Sequence, residues 1–159
     1  MCISTLHHPD RIPKHYNRQL TPHFPLQDGL GWTPLMMASS LKACDGDALI
    51  DTLLSAGADV NTKNNNGQTA LHFAASKSNI DTARKLTAHK ASARVKDKRG
   101  QLALHRAAAV GSVPMMKLLL ENKSPVNATD VDGMTALHHG EFGVAWDILR
   151  MWGEESVDL

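Results

Sequence analysis

Histidine is the residue of this sequence best suited to chemistry, because an imidazole can bind a metal ion or transfer a proton near neutral pH. Three of the nine histidines, His72, His105 and His138, recur at equal intervals along the chain. In a repeated structure this spacing places the rings about one unit apart, too far from one another to share a metal ion. We therefore predict that each ring hydrogen-bonds the turns of its own and the neighbouring unit.

A second cluster of histidines lies in the segment 1–27. Its members are His7, His8, His15 and His23, with Asp10 nearby. Their spacings match no known zinc pattern. The segment also holds four prolines and no apolar period, which predicts irregular structure. We predict no metal site and no cofactor.

No side chain has the surroundings of a catalytic nucleophile, which needs a base and an orienting group beside it. Cys44 lies next to Asp45 and near Asp47, where negative charge disfavours the reactive thiolate. The other cysteine, Cys2, forms neither a disulfide framework nor a metal-ligand spacing with it. No glycine-rich phosphate loop is present in the sequence. We therefore predict that the protein is not an enzyme.

The strongest pattern in the sequence is a short phrase that recurs four times. It reads Gly-Trp-Thr-Pro-Leu-Met-Met-Ala from Gly31, Gly-Gln-Thr-Ala-Leu-His-Phe-Ala from Gly67, Gly-Gln-Leu-Ala-Leu-His-Arg-Ala from Gly100 and Gly-Met-Thr-Ala-Leu-His-His-Gly from Gly133. The last three glycines are evenly spaced, and the first interval is slightly longer. A period of about 33 residues indicates a repeat array, in which like units stack to bury a continuous core. Such arrays usually serve as binding surfaces.

Each unit is predicted to hold a turn followed by two short helices. In the third unit, Gly100 supplies the turn, Leu104 and Ala107 follow at helical spacing, and Gly111 ends the first helix. Pro114 then opens the second helix, where a missing N–H group is tolerated. The pattern is therefore that of helix pairs joined by turns.

Threonines open the first helix of three units. Thr33, Thr69 and Thr135 are predicted to cap it. Leu102 stands at this position in the third unit, so we expect Leu102→Thr to stabilise the domain by restoring a cap.

The units also differ from one another at two other places, between the helices of the first unit and at the end of the second helix. The first unit is slightly longer than the others, which we interpret as a polar loop at 42–47 between its helices. Lys90 and Lys123 stand where Gly57 ends the second helix of the first unit.

The repeated phrase resembles the ankyrin repeat family over residues 28–139. The resemblance implies an all-α ankyrin-repeat solenoid of stacked helix-turn-helix units with projecting loops, in which loop tips and inner helices form a concave groove. We divide the chain into an irregular segment at 1–27, an ankyrin repeat domain at 28–153 and a tail at 154–159. The units are 28–63, 64–96, 97–129 and a degenerate 130–153, in which Gly140 and Gly143 interrupt the first helix and 145–152 is predicted to form a short capping helix.

Charge is distributed unevenly, although the net charge is +1. Residues 77–106 hold nine basic and two acidic side chains, whereas residues 107–159 hold three basic and eight acidic ones. In a linear array sequence order is spatial order, so a basic middle precedes an acidic end. Two interpretations stay open here. The charges are solvated surfaces, or they match a partner with bands of opposite sign.

Two stretches beyond the consensus narrow the resemblance. They are Asn-Asn-Asn-Gly-Gln-Thr-Ala-Leu-His-Phe-Ala-Ala-Ser-Lys at 64–77 and Leu-His-Arg-Ala-Ala-Ala at 104–109. Both are similar to the gankyrin family of proteasome assembly chaperones and its fungal members. The resemblance implies a shortened relative that binds the C-terminal domain of a proteasomal ATPase subunit during assembly of the regulatory particle. The alternative is a generic ankyrin adaptor or signalling inhibitor with another protein partner.

The same resemblance implies that the partner contacts loop tips and inner helices. At the loop tips these residues are Trp32, Asn65, Asn66, Gln68, Lys98, Arg99, Gln101, Val131 and Asp132, and on the inner helices they are Phe73, Lys77 and Arg106. Reversing the charge of Lys98, Arg99 and Arg106 is expected to abolish binding without unfolding the domain. Hydroxylation of Asn61 and Asn127, known at this place in the family, stays open.

Other classes of partner are not expected. No apolar run reaches the roughly 18 residues that a membrane span needs, and the N-terminus has no basic-then-apolar signal. The basic residues Lys96, Lys98, Arg99 and Arg106 lack aromatic rings for stacking on bases, since only Phe73 is close in sequence. We expect a monomer of the cytoplasm and nucleus that binds neither membrane nor nucleic acid.

Overall fold

The computed structural model describes residues 27–41, 43–140 and 150, apart from the side chains of residues 43–45. Several predictions fall outside this part of the chain. They concern the irregular N-terminal segment with its histidines, the thiol of Cys44, the capping helix at 145–152 and the tail.

Helices in two rows make up the described residues, without a strand. They are α1 (Pro34–Ser40), α2 (Ala43–Ser55), α3 (Ala70–Ser76), α4 (Ile80–Ala88), α5 (Ala103–Val110), α6 (Val113–Glu121) and α7 (Ala136–His139). The first row contains α1, α3, α5 and α7, each packed on the next, and the second row contains α2, α4 and α6. A hairpin-like loop precedes every helix of the first row.

Apolar residues at the predicted positions build one continuous core between the rows. Leu35, Leu71 and Leu104 are almost completely buried at the same place in successive units. Each such leucine contributes about 2 kcal/mol of transfer free energy. Ala74 and Ala107, also fully buried, leave room for neighbouring helices to approach closely.

Local signals set the helix ends of the third unit as predicted. Gly111 takes a left-handed conformation, φ +76°, and ends α5, while Pro114 lies in the first turn of α6. Lys90 and Lys123 also have left-handed backbones, with φ of +67° and +63°, at the position of Gly57. The lysines therefore end α4 and α6 at the cost of the strain that glycine avoids.

The polar loop predicted at 42–47 is wrong, because α2 already begins at Ala43. Gly46 makes this possible. A Cβ atom on Gly46 would lie 2.6 Å from the carbonyl oxygen of Ala38. Glycine therefore lets the start of α2 pack directly on the end of α1.

Leu102 precedes α5 at the N-cap position, and its side chain makes no capping hydrogen bond. The gain in stability expected from Leu102→Thr nevertheless does not follow. Its side chain is fully buried, at 0% exposure. Threonine would restore a hydroxyl but would remove part of a well-packed apolar side chain. The missing cap is therefore offset by core packing, which the sequence pattern did not reveal.

Candidate protein-binding face

The four loops before the first-row helices share one construction. Each starts with an Asp or Asn whose Oδ1 atom accepts two backbone N–H groups, from the residues two and four positions later, at 2.8–3.0 Å. These residues are Asp28, Asn64, Asp97 and Asp130. The sequence reading missed them as a set, although each stands three positions before a repeat glycine.

Neighbouring loops are joined through their backbones. Each loop donates one N–H group to a carbonyl of the loop before it, in the pairs Asn65 to Leu30 (3.1 Å), Lys98 to Asn66 (2.9 Å) and Val131 to Arg99 (3.0 Å). The loops therefore form a rigid ladder across the array.

Two repeat glycines show how tightly the ladder is packed. A Cβ atom on Gly100, where φ is +72°, would lie 3.1 Å from the backbone of Asp130 and Val131. At Gly133, where φ is +75°, no described residue lies within 4 Å of such an atom. Close approach of the next loop therefore constrains the first position and not the second.

Histidines tie α3 and α5 to the next loop, which confirms the structural role predicted for His72 and His105. The Nδ1 atom of His72 accepts the backbone N–H of Thr69 at 3.1 Å, and its Nε2 lies 3.2 Å from the carbonyl oxygen of Gln101. His105 bonds Leu102 N–H and the Met134 carbonyl in the same way, at 3.2 and 3.3 Å. Because Nδ1 accepts, Nε2 carries the proton and donates it to the next repeat.

Burial lowers the pKa of both His72 and His105, although the carbonyl hydrogen bonds act in the opposite direction. Both rings are therefore neutral at pH 7. His138 repeats only half of the pattern. Its Nδ1 bonds Thr135, but the ring is exposed and Nε2 has no partner within the described part of the chain.

In two repeats a side chain of the first-row helix bonds the carboxylate that starts the preceding loop. Arg106 Nη2 lies 2.9 Å from Asp97 Oδ2, and the Asp97 side chain is only 2% exposed. One repeat later, His139 Nε2 lies 2.8 Å from Asp130 Oδ2. Burial alone would raise the pKa of Asp130, but hydrogen bonds from His139 and backbone amides outweigh it and hold that pKa well below its usual range.

An aromatic pair occupies the corresponding region of the first two repeats. The ring centroids of Trp32 and Phe73 are 4.2 Å apart, and the ring planes are inclined by 38°. Both side chains are half-buried and rest against the core. One side of each ring is therefore left at the surface.

The sequence model of the ankyrin repeats matches the chain three times, over residues 12–97, 40–130 and 89–143. The chain belongs to the ankyrin repeat family. This membership and the helical architecture together confirm the predicted fold class. Ankyrin repeats are protein-binding modules, so the surface that they present is the candidate site.

A 62-residue stretch of this ankyrin chain is also 37% identical to neurogenic locus notch homolog protein 1 of Xenopus laevis. The stretch is 39% of the chain and 2% of the length of that protein. The chain therefore spans only a small part of this relative.

We call the exposed loop tips and the exposed side of the first-row helices the loop face of the ankyrin domain. Most of the predicted contact residues are exposed on it: Asn65, Asn66, Lys77, Lys98, Arg99, Val131 and Asp132. Among the described residues, the side chains of Lys77, Lys98 and Arg99 have no ionic or hydrogen-bonding partner. These three cations are therefore available to a ligand.

Other predicted contacts are placed differently. Gln101 is buried, at 7% exposure, so the expectation that it protrudes is wrong. It lies between two loops, with Nε2 3.4 Å from Asp130 Oδ2. Gln68 is half-buried and accepts a hydrogen bond from Asn64 at 3.2 Å. Both glutamines support the loop ladder, because their long side chains reach neighbouring loop residues.

The ankyrin asparagines named for hydroxylation differ in their surroundings. Asn61 donates to the Lys90 carbonyl at 3.2 Å and accepts Ser92 N–H at 2.8 Å. Asn127 is exposed. Asn61 therefore joins the ends of two neighbouring repeats.

The described part of the ankyrin chain holds neither a metal site nor a membrane span. There, no group of three or more His, Cys, Asp or Glu side chains could hold a metal ion. Nor is any described helix long and apolar enough to cross a bilayer.

Proposed function

We propose that this ankyrin chain is a non-enzymatic protein-binding module that holds its partner on the loop face. The observation that carries the proposal is the pair Lys98 and Arg99. Both are exposed and unpaired within the described residues, on a loop fixed to its neighbours by backbone hydrogen bonds. A rigid loop loses little conformational freedom on binding, which favours affinity.

The finer proposal is that the partner is the C-terminal domain of a proteasomal ATPase subunit and that the protein assists assembly of the regulatory particle. The resemblance of residues 64–77 and 104–109 to the gankyrin family supports it. Acidic groups of such a domain would pair with the two cations. We place this activity in the cytoplasm and nucleus, with the protein acting as a monomer.

Isothermal titration calorimetry against purified C-terminal domains of the proteasomal ATPase subunits tests this proposal. We expect one domain to bind, and the double variant Lys98→Glu, Arg99→Glu to bind about tenfold more weakly or worse. The matched control is Arg84→Glu, Lys117→Glu, which changes the net charge equally at exposed positions of the second helix row. Equal losses in the two variants would contradict binding at the loop face.

A pull-down of this protein from cells distinguishes the function of an assembly chaperone from other protein-binding functions. An assembly chaperone should be found with free regulatory-particle precursors and be absent from mature proteasomes. Recovery with mature proteasomes alone would contradict this role.

A second candidate function is that of an adaptor or signalling inhibitor with another protein partner. The stretch shared with the notch homolog favours it, since that likeness lies outside the gankyrin family. Failure of every ATPase domain to bind, together with a captured partner that Lys98→Glu, Arg99→Glu releases, would favour this second candidate.

A further inference from the structure

The chemistry of the loop face changes along the array at one repeated position. Nine positions after the start of each loop stand Met37, Phe73, Arg106 and His139. In the third and fourth repeats this residue pairs with the buried carboxylate of its own loop. In the second repeat it is an aromatic ring stacked on Trp32. At this position the face therefore changes from apolar side chains in the first two repeats to polar side chains bonded to a carboxylate in the last two.

An apolar patch lies at the start of the loop face and consists of Leu30, Trp32 and Phe73. Leu30, on the same loop as Trp32, is 65% exposed. The next two repeats carry Gln68 and Gln101 at the position of Trp32, and the fourth carries Met134, so the paired aromatic rings belong to the first repeat pair. Leu30 and Trp32 take part in the hydrogen-bonded loops through their backbones, and the ladder does not require their apolar side chains.

Unpaired cations lie further along the loop face. Lys77 follows Phe73 by four positions, so that the two side chains lie on one side of the chain at the end of α3. Lys98 and Arg99 project from the third loop, two loops beyond Trp32. Arg106 adds no free charge between them, because Asp97 neutralises it.

We propose that the apolar patch anchors one large aliphatic or aromatic side chain of the partner, and that this side chain lies in an acidic segment whose carboxylates pair with Lys77, Lys98 and Arg99. The inference deepens the proposed function. It rests on binding of a protein at the loop face and does not depend on the partner being a proteasomal ATPase.

The two parts of such a ligand make different contributions. The carboxylates interact with exposed lysine and arginine, and salt screens that attraction within about 10 Å at 0.1 M ionic strength. The anchor contributes through removal of apolar surface from water, which does not depend on charge. At high salt concentration the peptide should therefore retain some affinity, and that remaining affinity should depend on the anchor side chain alone.

Fluorescence anisotropy with three labelled peptides measures both parts. The first is a Glu/Asp-rich peptide with a central leucine, the second has serine in place of that leucine, and the third has the leucine within lysines. We expect the acidic leucine peptide to bind about tenfold more tightly than the acidic serine peptide. The lysine peptide should not bind. Equal affinity of the two acidic peptides would overturn the proposal.

Matched variants locate the anchor on the patch. Trp32→Gln installs the residue that the chain itself uses in its second and third repeats, and it should reduce the leucine-to-serine affinity ratio to near one. The control is Leu49→Ser, which removes an exposed apolar side chain from α2 in the second row and should preserve the ratio. Lys98→Glu, Arg99→Glu should weaken both acidic peptides, reduce their salt dependence and leave the ratio unchanged. A ratio unaffected by Trp32→Gln would place the anchor elsewhere.

Leu30→Ser provides a second test that does not disturb the core, because that side chain is mostly exposed. It should lower the ratio, and an unchanged ratio in folded Leu30→Ser would contradict the proposal. The peptide and domain results are separable. Peptide discrimination without ATPase-domain binding would reject the proteasomal partner alone. Domain binding without peptide discrimination would reject the anchor alone.

Discussion

Arg106 Nη2 lies 2.9 Å from Oδ2 of Asp97, a carboxylate that is almost completely buried. The other oxygen of Asp97 accepts the backbone N–H groups of Arg99 and Gln101, both at 2.9 Å. Arg106 therefore neutralises the residue that shapes the third loop. Its role in the fold differs from that of Lys98 and Arg99, whose side chains have no such partner within the described chain.

We predict that Arg106→Glu destabilises the domain by about 2 kcal/mol, because it leaves a buried carboxylate facing a second negative charge. This estimate allows for the partial exposure of the guanidinium group. We therefore keep the expectation that charge reversal leaves the fold intact for Lys98 and Arg99 and withdraw it for Arg106. Urea denaturation followed by circular dichroism measures the effect. Arg106→Lys, which keeps the charge, is the control and should lose less, and equal midpoints for wild type and Arg106→Glu would contradict the prediction.

Leu102→Thr is predicted to lower the free energy of unfolding by about 1 kcal/mol. Loss of a fully buried leucine costs about 2 kcal/mol, and the restored helix cap returns about 1 kcal/mol. Thermal unfolding of the purified variant measures the net change. Leu102→Val shortens the side chain without adding a hydroxyl and so separates packing from capping. A higher unfolding temperature for Leu102→Thr would show that the cap outweighs the core.

Stability is predicted to fall as the pH drops below about 6.5, the pKa of histidine in an unfolded chain. Burial lowers the pKa of His72 and His105 in the folded state. Below pH 6.5 the unfolded chain therefore binds more protons than the folded one, and acid favours unfolding. Above that pH these rings are neutral in both states and contribute no pH dependence.

Urea titrations at several pH values measure this slope. Each histidine contributes at most about 1.4 kcal/mol per pH unit. His105→Gln should reduce the slope relative to wild type. An unfolding free energy that stays constant between pH 7.5 and 5.5 would rule out neutral, buried rings.

Gly100→Ala is predicted to destabilise the domain more than Gly133→Ala. Both glycines have left-handed backbones, so each substitution carries strain of about 1 kcal/mol. At Gly100 the new Cβ atom would also press on the backbone of the fourth loop at 3.1 Å, whereas at Gly133 it would meet none of the described residues within 4 Å. We expect the close contact to add about 1 kcal/mol. Paired denaturant curves compare the two variants, and equal losses would mean that the loops do not approach as described.

The helices of the array could be predicted from sequence because their signals are local. Gly111 and Pro114 set the boundary between α5 and α6, and Leu104 enters the core by its position in the period. The same period predicted that His72 and His105 bridge repeats. Each of these inferences uses only the sequence of one repeat and its alignment with the next.

Residues between units were predicted less well, because their environment comes from a neighbouring loop. Gln101 and Leu102 follow a turn glycine and resemble exposed loop residues, yet the fourth loop covers Gln101 and the core surrounds Leu102. Arg106 was assigned to the partner because its ion pair depends on how the loop folds back. A sequence signal did exist: Asp97 to Arg106 and Asp130 to His139 share the same spacing.

The backbone contacts between loops carry a consequence for how such a protein changes over generations. Each contact between neighbouring loops joins a main-chain N–H group to a main-chain carbonyl group at equivalent positions of the two repeats. It therefore depends little on the side chains beside it. The interval from Gly67 to Gly100 equals that from Gly100 to Gly133. Duplication of a gene segment that encodes one such interval would therefore insert one more repeat in register with its neighbours. The array can lengthen or shorten in whole layers without compensating substitutions on either side.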